Sequence, residues 1–318
     1  MFTLGNEFQK ISDKIMASNN FFILTHKFPD GDTIGCAYAL CNALLDMGKK
    51  AVVLCSDKIP DKFSFLKKRE LSDEFVPDCI VSVDVADSGL LGERLEKYAS
   101  MVDISIDHHL VHRKFAKVTL VETNEAAACQ VLYDLFQYMR IPITRDIATC
   151  LYTGIATDTG CFKYKSANAK THRIAAELID CGADFCMINK LMFETKSRER
   201  ILLERLVLES LEFYCGNQCA LICITENMKK QAMANDEDVD GFASIPREIQ
   251  GVQVGITLRE KRAGQYKISL RTNPPYNAAE ICQQFGGGGH DAAAGCDLEG
   301  SLDEVKNMII GKVKEYLR

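Results

Sequence analysis

The sequence has no run of about 20 uncharged apolar residues, which excludes a membrane-spanning helix. It does not open with a basic segment followed by an apolar one, so we expect no secretory signal. None of its 14 cysteines is in C-x-x-C spacing, which makes structural zinc or a disulfide framework a poor explanation for them. We therefore expect reduced, packed cysteines in a cytoplasmic protein without a membrane partner, and we leave a regulatory thiol open.

Basic residues are not in excess either: the formal net charge is −6. A protein that binds long nucleic acid makes many phosphate contacts from a basic face. The charge therefore argues against a long polyanion as partner. It favours a small phosphate ester that a few local cations can bind.

With 318 residues, the chain is long enough for two domains. Up to about residue 165, apolar runs alternate with helical patterns, which is typical of an α/β fold with a mostly parallel sheet and helices on both faces. The predicted strands are 21–25, 51–55, 79–84, 101–107 and 118–121, and the predicted helices are 32–47, 125–140, 145–157 and 171–181.

After this first domain, which we place at 1–192, the chain becomes charged and then amphipathic, as in a connecting helix over 193–213. A helix wholly within one domain explains the same pattern. Residues 214–318 then predict a smaller α+β domain. Its expected elements are a strand at 220–224, a helix at 224–234, a hairpin of 252–259 with 266–271, and helices at 277–285 and 302–317.

Histidines and aspartates gather where the apolar or small-residue runs of the first domain end. Ligands of open α/β sheets bind outside the carboxyl ends of the strands, so we expect these side chains to converge. Imidazole and carboxylate donors without cysteine suit divalent ions such as Mn²⁺ or Mg²⁺. Without cations, so many carboxylates at one edge would repel each other. The donors are His26, Asp30, Asp32, Asp84, His108 and Asp158, with Asp107 and His109 beside them.

A second candidate site lies in the second domain, at a run of four glycines followed by His290. Glycines let backbone N–H groups approach an anion closely, and Arg271 at a strand end can bind a phosphate with two hydrogen bonds. We expect a phosphate clamp that includes Gly287, Gly288, Gly289 and His290. The simpler explanations are that the glycine run is a flexible hinge and that Arg271 is a surface cation. Similarly, His112 with its basic neighbours is best explained as a solvated loop.

These motifs carry a resemblance. His26-x-x-x-Asp30-x-Asp32, the strand end at Asp84, Asp107-His108-His109 and residues 154–160 resemble, in order, the four motifs of the DHH phosphoesterase superfamily. The tail, with residues 268–271 and the glycine run, is similar to the DHHA1 substrate-binding domain. Within the superfamily the chain most resembles the group of bifunctional oligoribonucleases and pAp phosphatases.

The resemblance implies two Mn²⁺ ions, with Mg²⁺ or Co²⁺ as alternatives. One ion would be held by His26, Asp30 and Asp84, and the second by Asp32, Asp84, His108 and Asp158. The resemblance also gives His109 the place beside the scissile phosphate, as charge stabiliser or proton donor. Asp107 would orient His108 through its other ring nitrogen. In the second domain, the family pattern adds Asn277 to the clamp.

The implied function is hydrolysis of short oligoribonucleotides to mononucleotides, with 3′-phosphoadenosine 5′-phosphate (pAp) as a second substrate. A phosphodiesterase acting on cyclic di-AMP or its linear product pApA is one alternative, and a non-catalytic nucleotide-binding protein is another. The sequence leaves open the polarity of cleavage, the base preference and whether the chain forms a homodimer.

Overall fold

The computed structural model describes residues 4–67, 69 and 73–317. The first three residues, on which the expectation of a missing secretory signal partly rests, lie outside this range. The chain divides into two compact units, Met1–Thr195 and Lys196–Arg318. The predicted domain limits, at 192 and 214, stay predictions. In the part of the chain that the structure describes, no helix has the length and apolar character needed to span a bilayer.

The first unit contains a sheet of five parallel strands in the order β2-β1-β3-β4-β5, which confirms the α/β prediction. Strand β3 is buried along its whole length, as expected for a strand covered on both faces. The strands are β1 (Asn20–Leu24), β2 (Lys50–Leu54), β3 (Cys79–Val83), β4 (Ile104–Asp107) and β5 (Val118–Val121). The helices are α1 (Leu4–Ala17), α2 (Gly31–Asp46), α3 (Ala128–Met139), α4 (Arg145–Asp158), α5 (Ala169–Asp180) and α6 (Phe185–Asn189).

The two faces of this sheet are covered differently. Alternate strand residues such as Ile23 and Val81 pack with the α-helices in the larger core. On the opposite face, Phe22 and Ile80 pack against Leu91 and Leu95, which belong to a segment with short 3₁₀ turns. Helix α1 was not predicted from the sequence. The 14 cysteines are all thiols, and most of them are buried.

The second unit contains a six-stranded sheet in the order β10-β11-β9-β8-β7-β6, in which β7 and β8 are parallel and the other neighbours antiparallel. The predicted hairpin is β8 with β9. The strands are β6 (Glu212–Tyr214), β7 (Cys219–Ile224), β8 (Val254–Arg262), β9 (Gln265–Thr272), β10 (Gly288–His290) and β11 (Ala293–Glu299). The helices are α7 (Arg198–Glu209), α8 (Glu226–Ala232), α9 (Ala278–Gln283) and α10 (Leu302–Tyr316).

Helices α2 and α4 approach each other closely because glycines line their contact. A Cβ atom at Gly35 would lie 2.5 Å from the Cys150 carbonyl oxygen, and one at Gly31 would lie 2.3 Å from Thr157 Oγ1. A Cβ atom at Gly154 would lie 2.2 Å from Cys129 Sγ. This spacing brings the last turn of α4 beside the first turn of α2.

Gly154→Ala therefore tests how tightly this packing is constrained. The added methyl group would collide with Cys129 and lie 2.7 Å from Asp32 Oδ1. We expect the free energy of unfolding to fall by about 1–3 kcal/mol, measured by urea denaturation. The control is Gly5→Ala on α1, where nothing lies within 4 Å of the new Cβ atom. Equal stability of the two variants would contradict the close contact.

Candidate metal centre

The histidines and aspartates singled out in the first unit converge at the carboxyl edge of its sheet. Three of the five parallel strands that end there are followed by residues of this group. His26 and Asp30 follow β1, Asp84 follows β3, and His108 follows β4. Two helices complete the set: Asp32 lies in the first turn of α2, and Asp158 is the last residue of α4.

One group of donors consists of His26, Asp30 and Asp84. His26 Nε2 lies 3.7 Å from Asp30 Oδ1 and 3.6 Å from Asp84 Oδ2. The other ring nitrogen of His26, Nδ1, lies 2.7 Å from the carbonyl oxygen of Lys27, to which it donates. This hydrogen bond orients the ring so that Nε2 is the atom available to an ion.

A second group surrounds His108. Its Nε2 lies 3.4 Å from Asp158 Oδ2, 3.7 Å from Asp84 Oδ1 and 3.8 Å from Asp32 Oδ2. The Nδ1 atom of His108 lies 3.2 Å from the carbonyl oxygen of Glu125, which orients the ring. The expectation that Asp107 orients this ring is wrong, because a backbone carbonyl takes that place.

Asp84 faces both groups, with Oδ2 toward His26 and Oδ1 toward His108. Its backbone adopts a left-handed conformation, with φ of 58°, directly after β3. Its N–H donates to the carbonyl oxygen of Ile106 at 2.9 Å, which ties the turn to β4. Oδ1 is buried and has no hydrogen-bond partner among the described residues. An orphaned, buried carboxylate oxygen of this kind requires a cation or a proton.

The distances within both groups fit divalent ions better than hydrogen bonds. The His–Asp separations around Asp84 and His108 are 3.4 to 3.8 Å, longer than a charge-assisted hydrogen bond. Two ligands bound to one ion at about 2.1 Å, at angles near 90–120°, are about 3.0–3.6 Å apart. The donor atoms of His26, Asp30 and Asp84 lie within 4.8 Å of one another, and so do those of Asp32, His108 and Asp158. The residues therefore fit a pair of cations that share Asp84.

Mutual repulsion in the buried cluster shows in the carboxylate pKa values. Burial, and then the negative charge of Asp32, raise the pKa of Asp84 to about 7. The same two causes raise the pKa of Asp158 to about 8. Burial also raises the pKa of Asp32. Asp158 stands at the carboxyl end of α4, where the helix dipole further disfavours a negative charge and favours a cation.

Asp30 and Asp32 also hold the backbone in place. Asp30 is the N-cap of α2: its Oδ1 accepts the N–H groups of Asp32 and Thr33 at 3.0 and 3.1 Å. The Asp32 carboxylate accepts the N–H groups of Ala128 and Cys129, at 2.6 and 3.0 Å. Asp32 thereby caps α3 from a different helix.

Asp107 contacts His109 instead of the His108 ring. Its Oδ1 lies 2.6 Å from His109 Nδ1 and also accepts the N–H groups of His108 and His109. This hydrogen bond, against the effect of burial, raises the pKa of His109 to about 9. The His109 side chain is 47% exposed, so it is a cationic donor that a substrate can reach.

His112 is a residue whose place the sequence did not reveal. The expectation of a solvated loop is wrong for it, since only 3% of its side chain is exposed. Its Nε2 lies 3.2 Å from Ser105 Oγ and 3.6 Å from Asp107 Oδ2, and its ring stacks on Phe115. The His112 ring thus lies beside Asp107 Oδ2, the oxygen that does not contact His109. Arg113 and Lys114, which follow His112, are both exposed, and their charges led to the expectation of a solvated loop.

In the second unit, Arg271 lies on β9 and His290 lies on β10, and β11 runs between these two strands. Ala293 of β11 pairs with Arg271 of β9 on one side and with His290 of β10 on the other. Side chains at paired positions share a face, so Arg271 and His290 stand about 10 Å apart with the small Ala293 between them. Part of the glycine run is strand β10, so this part is not an open loop.

Asn277 has a structural role beside this row. Its side chain caps α9 by accepting the N–H groups of Ala279 and Glu280, and its Nδ2 donates to Asp291 Oδ1 at 2.9 Å. Asp291 follows His290 directly, so Asn277 positions the end of β10. Direct contact of Asn277 with a substrate stays a prediction.

Comparison with known proteins adds two family matches. Residues 20–155 match the model of the DHH family, N-terminal domain, and residues 219–318 match that of the DHHA1 domain. A bifunctional oligoribonuclease and PAP phosphatase (NrnA) of Thermus thermophilus is 33% identical over 305 residues, which cover 93% of this chain and 90% of the relative.

Two further comparisons concern a solved structure and a longer enzyme. The crystal structure of an exopolyphosphatase-related protein from Bacteroides fragilis superposes with a TM-score of 0.88, at 27% identity, over 98% of both chains. A cyclic-di-AMP phosphodiesterase (GdpP) of Geobacillus thermodenitrificans is 22% identical over 97% of this chain. The chain spans about half the length of that relative, 48%.

The raised pKa values of the buried aspartates predict how the stability of the fold depends on pH and on bound metal. Burial and the neighbouring Asp32 raise the pKa of Asp84 above its unfolded value, to about 7, and Asp158 likewise to about 8. Groups of this kind stabilise the fold at low pH, and that contribution is lost as the pH rises through the folded pKa. The metal-free protein should therefore lose stability between about pH 4 and pH 8.

Divalent ions displace these protons and relieve the repulsion. We expect Mn²⁺ to raise the melting temperature more at about pH 8 than at about pH 5.5, measured by differential scanning fluorimetry. Asp84→Asn should lose most of this increase, whereas Asp87→Asn, three residues later, should keep it. Equal increases at both pH values in the unmodified protein would contradict the prediction.

Proposed function

We propose that this chain hydrolyses short oligoribonucleotides to mononucleotides with two Mn²⁺ ions. The first ground is that it belongs to the DHH family of phosphoesterases and carries a DHHA1 domain. We include 3′-phosphoadenosine 5′-phosphate, with AMP as product, as a second substrate. The observation that carries the proposal is the position of Asp84, whose two oxygens face two separate groups of histidine and carboxylate donors.

The donor set supports manganese among the divalent ions. Two imidazole nitrogens together with carboxylate oxygens, and no thiolate, suit Mn²⁺, with Mg²⁺ or Co²⁺ as alternatives. We assign His26, Asp30 and Asp84 to one ion. We assign Asp84, Asp32, His108 and Asp158 to the other. When bound, such a pair would supply a nucleophile at neutral pH and neutralise charge on the phosphoryl oxygens.

His109 would stabilise negative charge or donate a proton at the scissile phosphate, and Asp107 would orient His109. The hydrogen bond from Asp107 raises the pKa of His109 to about 9, so the ring carries a proton at neutral pH. Its Nδ1 is engaged by Asp107 at 2.6 Å, which leaves Nε2–H to donate to a phosphoryl oxygen or to the leaving group. Asp107 fixes the direction of this donor, and the buried His112 ring lies beside the other Asp107 oxygen.

In the second unit, we propose that Arg271 and His290 bind a phosphate of the substrate, with the backbone of Gly287, Gly288 and Gly289 nearby. Supporting this, a guanidinium and an imidazole flank the small Ala293 on one face of the sheet. Asn277 would act by holding Asp291 and the end of β10. A polar row of this size suits a nucleotide better than a long polymer, in agreement with the net charge of −6.

A second candidate function is the hydrolysis of cyclic di-AMP or pApA. It is favoured by the likeness to the Geobacillus cyclic-di-AMP phosphodiesterase, although this chain spans about half of that relative. A non-catalytic nucleotide-binding protein is the third candidate, and the complete donor set counts against it. The cytoplasm as compartment and a homodimer as assembly stay predictions.

A substrate panel with Mn²⁺ tests the proposal. It comprises 5′- and 3′-labelled diribonucleotides to pentaribonucleotides, pAp, pApA and cyclic di-AMP, with products separated chromatographically. We expect mononucleotides from the oligoribonucleotides and AMP from pAp, at higher kcat/KM than for cyclic di-AMP. A higher kcat/KM for cyclic di-AMP would favour the second candidate. Nucleotide binding without any turnover would favour the third.

Asp84→Asn should abolish turnover because it removes the carboxylate that faces both donor groups. We expect kcat to fall by more than about 100-fold, beyond the loss typical of a supporting residue. The metal-free variant should be at least as stable as the unmodified protein, since it removes a buried charge beside Asp32. Asp87→Asn is the control, because asparagine can keep the N-cap that Asp87 provides. Undiminished turnover by Asp84→Asn would refute the assignment.

Arg271→Ala tests whether Arg271 and His290 bind a phosphate of the substrate. We expect KM for a 5′-phosphorylated dinucleotide to rise by about 10-fold, in line with the loss of one charge-assisted hydrogen bond, with kcat changed less. Lys267→Ala is the control, since Lys267 lies on the same strand and face, four residues away, and is exposed. Equal effects of the two substitutions would show only a general electrostatic contribution.

A further inference from the structure

Phe28 is an exposed aromatic residue in the loop that carries two of the proposed metal ligands. It lies two residues after His26 and two before Asp30. Its side chain is 78% exposed. Its backbone is left-handed, with φ of 56°, a conformation that bulky residues rarely adopt. Thus neither packing nor backbone preference explains a phenylalanine at this position.

Hydrogen bonds to other segments of the chain fix the backbone conformation of Phe28. Its N–H donates to Asp57 Oδ2 at 2.9 Å, and the N–H of the preceding Lys27 donates to the carbonyl oxygen of Leu90 at 2.7 Å. Asparagine or glycine would fit this backbone with less strain. The loop therefore keeps an aromatic side chain in a place where most of its surface is open to solvent or to a ligand.

The distance to the metal centre limits what that ligand can be. Consecutive Cα atoms are 3.8 Å apart, so the Cα atom of Phe28 lies within about 7.6 Å of those of His26 and Asp30. When the phosphate of a substrate reaches Asp84 and its neighbours, this spacing leaves the loop of Phe28 within reach of the group attached to that phosphate. In an oligoribonucleotide, that group is a nucleoside, and its base offers a flat π-face.

We propose that the Phe28 ring stacks on a nucleobase of the substrate and makes the enzyme select nucleotides over phosphate esters without a base. The inference rests on the proposed function and adds a specificity-determining residue to it. Stacking tolerates any base, because every base has a π-face. Phe28 would thus distinguish nucleotides from other phosphates without reading the base sequence.

A binding experiment that needs no turnover tests the contact directly. The sequence contains no tryptophan, so Phe28→Trp introduces a single reporter that keeps a flat aromatic ring. We expect saturable quenching of its fluorescence by AMP and little change with ribose 5-phosphate, which carries the phosphate without the base. Quenching by both compounds alike, or by neither, would overturn the inference.

The chain offers a matched control for this reporter. Met233, at the C-cap of α8, is also a large apolar residue, 76% exposed and left-handed, with φ of 53°. No site residue lies on α8. Met233→Trp should respond to AMP no more than free tryptophan does. Equal saturable quenching of the two reporters would show nonspecific binding and contradict the proposal.

A kinetic experiment separates stacking from a structural role of the loop. The substrates are a diribonucleotide and two analogues in which one or the other base is replaced by hydrogen. In the unmodified enzyme, removal of the stacked base should lower kcat/KM by about 5- to 100-fold, mainly through KM. In Phe28→Asn, the same removal should have little effect, because the ring is already missing.

Phe28→Asn is the informative substitution because asparagine suits the left-handed backbone, so the melting temperature should be unchanged or higher. An unaltered preference for both bases, or an equal loss on all three substrates, would overturn the inference. If the unmodified enzyme cleaves none of these compounds, the proposed function fails. The fluorescence titration then still decides whether Phe28 contacts a base.

Discussion

Repulsion among buried carboxylates is the constraint around which the first unit is built. Asp32, Asp84 and Asp158 lie close together at one edge of the sheet, and burial with their mutual repulsion raises the pKa values of Asp84 and Asp158 to about 7 and 8. The parallel strands and the close contact of α2 with α4 hold these charges in place. Such an arrangement costs stability unless cations neutralise it, so it is a reason to assign a catalytic role to the site.

Around this cluster, each donor is oriented by a hydrogen bond that leaves one atom available. Backbone carbonyls hold the rings of His26 and His108, and Asp107 holds the ring of His109. The first two rings are directed toward the carboxylates, whereas the third carries a proton at an exposed position. The difference between the two proposed metal ligands, His26 and His108, and the proposed proton donor, His109, therefore arises from their hydrogen-bond partners.

The sequence alone predicted the sheet, most helices and the convergence of the donors. This succeeded because apolar strands with polar residues at their carboxyl ends leave a clear pattern, as at Val83 and Asp84. The prediction failed where tertiary contacts determine the partner or the burial of a residue. The partner of Asp107 depends on the turn after β4, and the burial of His112 depends on Phe115. Strand β10 could not be predicted, because glycines have no strand preference of their own and β11 provides its pairing.

Asp32 shows how closely this site and its scaffold are joined. Its carboxylate faces His108, and it also holds the first turn of α3, a helix that begins almost a hundred residues further along the chain. A change at Asp158 would thus affect ion binding alone, whereas a change at Asp32 would also remove the hydrogen bonds that cap α3. A descendant that had lost catalysis would therefore have a structural reason to retain Asp32, and likewise the α2 cap Asp30, after Asp158 had changed.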